Sequence, residues 1–280
     1  MRSLLGALAT AIGLCAAGAA AAAPTVEIRR AVARVIVTPE ARDDIRVEIV
    51  KANPRLPLRV SSFMGHTYVD GGLSDMRIRG CHGPVEQPSA TVIGMGEIPA
   101  DQLPQVVIHT PMNAKIIASS AVWGQVGRSE GLDLANAGCG DWEVANVRDK
   151  LRVTIAGSGA VRTGQAGSAE LTIAGSGSIQ THEISGPVMA MDVGSGDINV
   201  GAVNGTFNVR VAGAGRVWAA SGHASIMHAS IAGAGDIVFD GVADSLKASI
   251  VGSGDVKVNR VVGSVDRAVI GSGAVRVGGS

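Results

Sequence analysis

Asp141, Asp197, Asp236 and Asp255 each directly follow a Gly-x-Gly triplet. Carboxylates at a fixed place in neighbouring repeats fall into a file. Two in succession, such as Asp236 and Asp255, have the charge to hold a cation between them. The pattern resembles the calcium-binding nonapeptide β-rolls, but those need Gly-Gly-x-Gly-x-Asp in a short repeat. Here the other triplets are followed by Ala160, Ser178, Arg216 and Ala274. Arg216 stands between Asp197 and Asp236, so an exposed ion-pair ladder is the simpler account. Each such pair contributes under about 1 kcal/mol.

Catalysis by paired acids and bases needs carboxylates clustered on one face at matched separations. Glu170 and Glu183 stand alone instead. The Gly-Ser-Gly serines lack the strand-to-helix elbow and the His and acid partners of a serine nucleophile. His223 and His228, five residues apart, read as part of a solvated turn rather than as a metal pair. Trp218 is expected to point outward and is the one aromatic candidate for a contact. The candidate binding surface is therefore Trp218, Asp197, Arg216, Asp236 and Asp255, and no catalytic, cofactor or metal residue is expected.

Composition narrows the class further. Lysine plus arginine and aspartate plus glutamate balance at 24 each, which gives nucleic acid or an anionic membrane no reason to bind. Glycine is abundant at 39 residues, against three Trp, one Tyr and three Phe. Stacked small coils need few aromatics, so a repetitive β architecture is favoured. Arg2, the apolar run from Leu4 to Ala20 and the small residues Ala21-Ala22-Ala23 read as a signal peptide over residues 1–23. Leu14 before Cys15 argues against a lipidated cysteine, and no later stretch is apolar enough to span a bilayer as a helix. Export to an oxidising compartment makes Cys81 and Cys139 candidates for a disulfide, with two small buried residues as the alternative. Only His82 lies near as a third ligand, so a metal site is least favoured.

The elements that must carry these residues are set by the repeat. Gly-x-Gly begins at residues 138, 157, 175, 194, 213, 233, 252 and 271, at intervals of 18 to 20. Nineteen residues before Gly138 stand Ser119-Ser120-Ala121, read as a degenerate first copy. With the first glycine as position one, position five is Trp142, Val161, Ile179, Ile198, Val217, Ile237, Val256 and Val275. Position seven and the place two residues before the triplet are also mostly apolar, although Asn136 and Asp192 interrupt the latter. Alternation of this kind, rich in Val and Ile, reads as short strands with one face inward. A coil of about 19 residues cannot bury that face alone; stacking at roughly 4.8 Å closes the core, and nine coils make a rod of about 40 Å. The glycines mark sharp, crowded corners. Trp123 and Trp142 share position five on this count and are expected to stack inside.

The fold class is thus all-β, a single-stranded parallel β-helix with about 19 residues per coil. Residues 24–115 read as an irregular β region that continues the solenoid and covers its N-terminal end. Residues 116–280 read as the regular solenoid. The last coil leaves an edge through which copies of the chain can pair.

The Ile-Ala-Gly-Ser-Gly unit of Thr154 to Val161, its variant at Ile250 to Val256, and Gly72 followed by Met76-Arg77-Ile78-Arg79 resemble the auto-transporter adhesin head GIN domain family of bacteria. That resemblance spans roughly residues 30–278 and brings no catalytic residues with it. It implies a right-handed parallel β-helix, export, and a periplasmic, cell-surface or extracellular location. The expected role is a non-catalytic, adhesin-like binding scaffold, with an envelope protein or a glycan as partner and no cofactor. The alternative is a β-helix enzyme acting on a polysaccharide.

Overall fold

The computed structural model describes residues 23–74 and 77–278. The expected signal peptide, apart from residue 23, and Met76 lie outside them. The chain is a β-solenoid of about nine turns with about 19 residues per coil.

The N-terminal part does not enter the stack in chain order. β1 (Thr25–Glu40) pairs in parallel on both sides. On one side lie β4 (His66–Asp70) and β8 (Gln105–Pro111), and on the other lies β9 (Asn113–Val126). β2 (Arg46–Lys51) runs antiparallel to β8, and β3 (Arg59–Phe63) antiparallel to β4. These two strands end the stack, so the parallel ladder is closed there by strands of opposite direction. Near that end Arg29 and Arg30 hold the Asp70 carboxylate, which also accepts from Gly72 N–H at 2.8 Å. The Arg30 guanidinium, above all, draws the Asp70 carboxyl down to about 2.

From β9 onward the coils follow one another. β10 (Gly131–Gly138) and β11 (Trp142–Val144) form two walls of the next coil, and paired walls recur up to β23 (Val265–Gly271) and β24 (Val275–Val277). The ladder continues round the corner. Ser176, Ser195, Ala214 and Ser253 each donate their N–H to a corner glycine carbonyl one coil earlier, at 2.8–3.2 Å. A Cβ on Gly177 would lie 2.5 Å from the Gly159 carbonyl oxygen, and one on Gly196 2.7 Å from that of Gly177. The glycines are therefore required by close approach along the rod axis.

Inward positions fill a single apolar core. Val161, Ile179, Ile198, Val217, Ile237 and Val256 are fully buried. One expectation fails in this region. Gly138 pairs with Ser120, not Ser119, and Trp142 pairs with Gly124. The one-residue offset turns Trp123 to the outer face, because side chains alternate strictly along a strand. Trp142 fills the lumen against Gly124, where a Cβ would overlap its ring. Trp123 is buried outside the lumen, with Leu56, Leu73, Val92 and Ile98.

The cover over Trp123 is a separate antiparallel sheet of β5 (Ile78–His82), β6 (Ser89–Val92) and β7 (Gly96–Ile98). Cys81 of β5 is disulfide-bonded to Cys139, the middle residue of the first Gly-x-Gly, with Cα atoms 5.6 Å apart. The bond ties this sheet to the first regular corner.

At the opposite end the final coil has no layer above it among the described residues. Val269 is 41% exposed there, while Ile250, its in-register neighbour one coil earlier, is fully buried.

Candidate functional site

The segments after each corner present positions four, six and eight outward as three parallel files on one face of the rod. Asp197, Arg216 and Asp236 are register neighbours in successive coils, as are Asn199, Trp218 and Val238. The residues selected from sequence thus share one face.

The aspartates do not form the expected ladder with Arg216. Asp141 Oδ1 accepts from Ala160 N–H at 2.9 Å, Asp236 Oδ1 from Asp255 N–H at 3.2 Å, and Asp255 Oδ1 from Ala274 N–H at 2.9 Å. Each carboxylate takes over the acceptor role that a glycine carbonyl plays elsewhere. Arg216 N–H, for example, donates to Gly196 O at 3.0 Å. Arg216 makes no ion pair among the described residues. A short Asp side chain at a corner reaches the next coil's backbone more readily than it reaches a long, solvated guanidinium. Only Asp255 gains a cation, Arg276, which with the Ala274 N–H holds its carboxyl below the usual range.

Trp218 is 39% exposed, and its indole Nε1 donates to Asp240 Oδ2 at 2.8 Å. That bond fixes the ring on the surface and leaves part of it open. Arg162, Gln180 and Asn199 precede it in the same file, and among the described residues no hydrogen bond or ion pair engages their side chains. Beside them the position-eight file is low: Ala145, Gly164, Gly201 and Ala220, interrupted by His182, whose Nδ1 lies 3.0 Å from Thr163 O. A recess of about 420 Å³ opens at the start of this track, lined by Gln125, Glu143, Arg162, Gly164 and His182. No sequence motif marks the track, because its polar residues vary from coil to coil. Only the file position they share would reveal it.

The Asp197 carboxylate has no hydrogen-bond or ion-pair partner among the described residues, whereas several carboxylates elsewhere are occupied. Glu170 accepts from Arg152 at 2.7 Å and pairs with Lys150 at 3.1 Å, and these cations hold its carboxyl low. Glu183 accepts from Asn204 at 3.0 Å. His223 meets Asp244 at 2.7 Å on an exposed edge. One carboxyl moves the other way. Asp192 is fully buried between Ile173 and Val211, with no partner of hydrogen-bonding geometry among the described residues. Burial pushes it up to about 6; the Asp197 charge adds to the rise, and the Gly196 N–H opposes it. It faces the lumen, so no substrate can reach it. Among the described residues no three His, Cys, Asp or Glu side chains are placed to hold a metal. No described helix is long and apolar enough to cross a membrane.

No curated protein matches the chain. Among solved structures, a crystal structure of a putative cell adhesion protein from Clostridium sporogenes aligns over 90% of this chain and 91% of its own. The identity is 9% and the TM-score 0.23. The regular coils from β14 (Ala166–Gly175) to the end give the sharper result: residues 169–280 match the family described as "Putative auto-transporter adhesin, head GIN domain".

Proposed function

We infer that the protein is an exported, non-catalytic, adhesin-like scaffold that binds a partner at the bacterial envelope or surface through an outward face of its rod. The observation that carries this reading is the family match, which falls on the regular coils themselves. The site chemistry supports it. Asp141, Asp236, Asp255 and Glu170 are spent on backbone corners or ion pairs, and the one raised carboxyl among the described residues is sealed in the core. A glycosidase needs two carboxyl groups facing one bond, with one kept protonated.

The test is co-sedimentation of the purified chain with washed envelope from a Gram-negative bacterium, run beside a reducing-end assay on the same material. Saturable binding without release of reducing ends is expected. Release that a single acidic substitution abolishes would establish the enzyme reading instead.

Self-pairing belongs to the same reading. The outer backbone edges of β23 and β24 have no partner among the described residues, and Ile270 is 71% exposed beside them. Light scattering should show a dimer whose fraction rises with concentration and falls in Val269→Lys. A strict monomer at high concentration removes this part of the proposal.

A further inference from the structure

We propose that the track from Arg162 through Gln180 and Asn199 to Trp218 binds a neutral linear polysaccharide laid along the rod axis. The inference rests on the binding-scaffold reading above and names its ligand class.

Four observations converge on this face. First, the side chains of Arg162, Gln180 and Asn199 have no partner among the described residues although they stand in register on consecutive coils. The exposed Gln180 and half-buried Asn199 amides, with free donors and acceptors in one line, match a polymer that offers hydroxyl groups at a regular spacing. Second, Trp218 closes the line with a ring fixed by Asp240. A partly exposed indole held in one orientation supplies an apolar plate at low entropic cost. Third, the neighbouring file is built of Ala145, Gly164, Gly201 and Ala220 with His182 standing between them, so the track has a mostly low shelf beside it. The recess lined by Gln125, Glu143 and His182 extends that shelf.

Charge decides the fourth point. Six carboxylates lie on this face or at its margin: Asp141, Glu143, Asp197, Asp236, Asp240 and Asp255. The cations are Arg162, Arg216, Lys257 and Arg276. A polyanion would meet more repulsion than attraction there, which disfavours nucleic acid and acidic glycans. A protein partner would be expected to anchor in a desolvated cluster of aromatic and apolar residues. Among the described residues this face exposes one aromatic ring, flanked in register by Asn199 and Val238 and bonded to Asp240. Hydroxyl-rich, uncharged and extended is the chemistry that remains.

The experiment is native affinity electrophoresis of the full chain in gels cast with hydroxyethyl cellulose, soluble starch, galactomannan or polygalacturonate. At least one of the three neutral polymers should retard the protein, and polygalacturonate should not. Trp218→Ala should weaken retardation at least tenfold. The double variant Gln180→Ala/Asn199→Ala should weaken it severalfold, with thermal melting unchanged because these side chains lie outside the core. The proposal is overturned if no neutral polymer retards the protein, if only polygalacturonate does, or if both variants migrate as the parent does. Binding to envelope that persists when all four polymers fail would sink the polysaccharide assignment alone. Failure of envelope binding as well would sink the scaffold reading with it.

Discussion

Gly177→Ala will destabilise the protein by about 3–5 kcal/mol, lowering its melting temperature by roughly 10 °C. The cause is distance along the rod. A Cβ on Gly177 would lie 2.5 Å from the Gly159 carbonyl oxygen and 2.8 Å from Ile155 Cγ2. The oxygen belongs to backbone, so the overlap is relieved only by prising two coils apart. That movement weakens the bond from Asp197 N–H to Gly177 O and the ladders on either side of the corner. In a solenoid each coil is stabilised chiefly by its neighbours, so a break mid-stack uncouples the two halves. Gly65→Ala supplies the contrast. Gly65 has φ +77°, and no atom lies within 4 Å of the place its Cβ would take. Alanine there meets only the left-handed backbone cost, about 1 kcal/mol. Differential scanning calorimetry of both variants checks the argument. Equal losses would mean that the corner glycines serve backbone conformation and not axial contact.

The repeat is legible in the sequence because one physical demand, a backbone passing close to its own copy, recurs at the corners from Gly138 onward and is met there by glycine. Gly157, Gly175 and Gly194 meet that demand alike, so counting suffices. The inward files are legible for the same reason: Val161, Ile179 and Ile198 answer identical surroundings. Trp123 is misplaced by such a count because its coil is one residue out of step with the 19-residue period. A count cannot sense register when the corner residue is Ser120 rather than glycine. The passage of β1 between β8 and β9 is equally hidden, since alternation reports which way a side chain points and not which strand lies beside it. The corner aspartates fall on the expected face, but Asp141, Asp236 and Asp255 accept from backbone N–H groups, which nearly every residue carries. Nothing in sequence separates an Asp that caps a corner from one that pairs with arginine. Arg162, Gln180 and Asn199 give no signal, because binding residues in a repeat are those that depart from it.

The second large effect runs in the stabilising direction, at Asp192. Its carboxyl has an ordinary value of 3.8 in the open chain and about 6 in the folded core. Below about pH 4 it is protonated in both states and carries no electrostatic penalty. Between about 4 and 6 the unfolded chain ionises while the folded one holds its proton, so stability falls as pH rises. Above about 6 the penalty is complete, about 3 kcal/mol for a shift of this size. Asn136 shows how the same column position is satisfied without charge. Its Nδ2 donates to Gly140 O at 2.8 Å, and its Oδ1 accepts from Gly138 N–H at 3.3 Å. Asp192 stands in the same relation to Gly194 and Gly196, and both side chains occupy space left open by a glycine one coil on, Gly159 above Asn136 and Gly215 above Asp192. Asp192→Asn should therefore raise the urea midpoint at pH 8 by an amount corresponding to about 3 kcal/mol and change it little at pH 4. The acid-side loss arising from Asp70, whose low value acts in the opposite sense, is common to both proteins and cancels in the difference. A gain that is the same at every pH would place the effect in packing and leave the buried charge with no role. A gain that grows between about pH 4 and 6 and levels off above would show that the wild-type rod carries an ionised carboxylate in its core at neutral pH. Its coils would then be held together less firmly there than in mild acid.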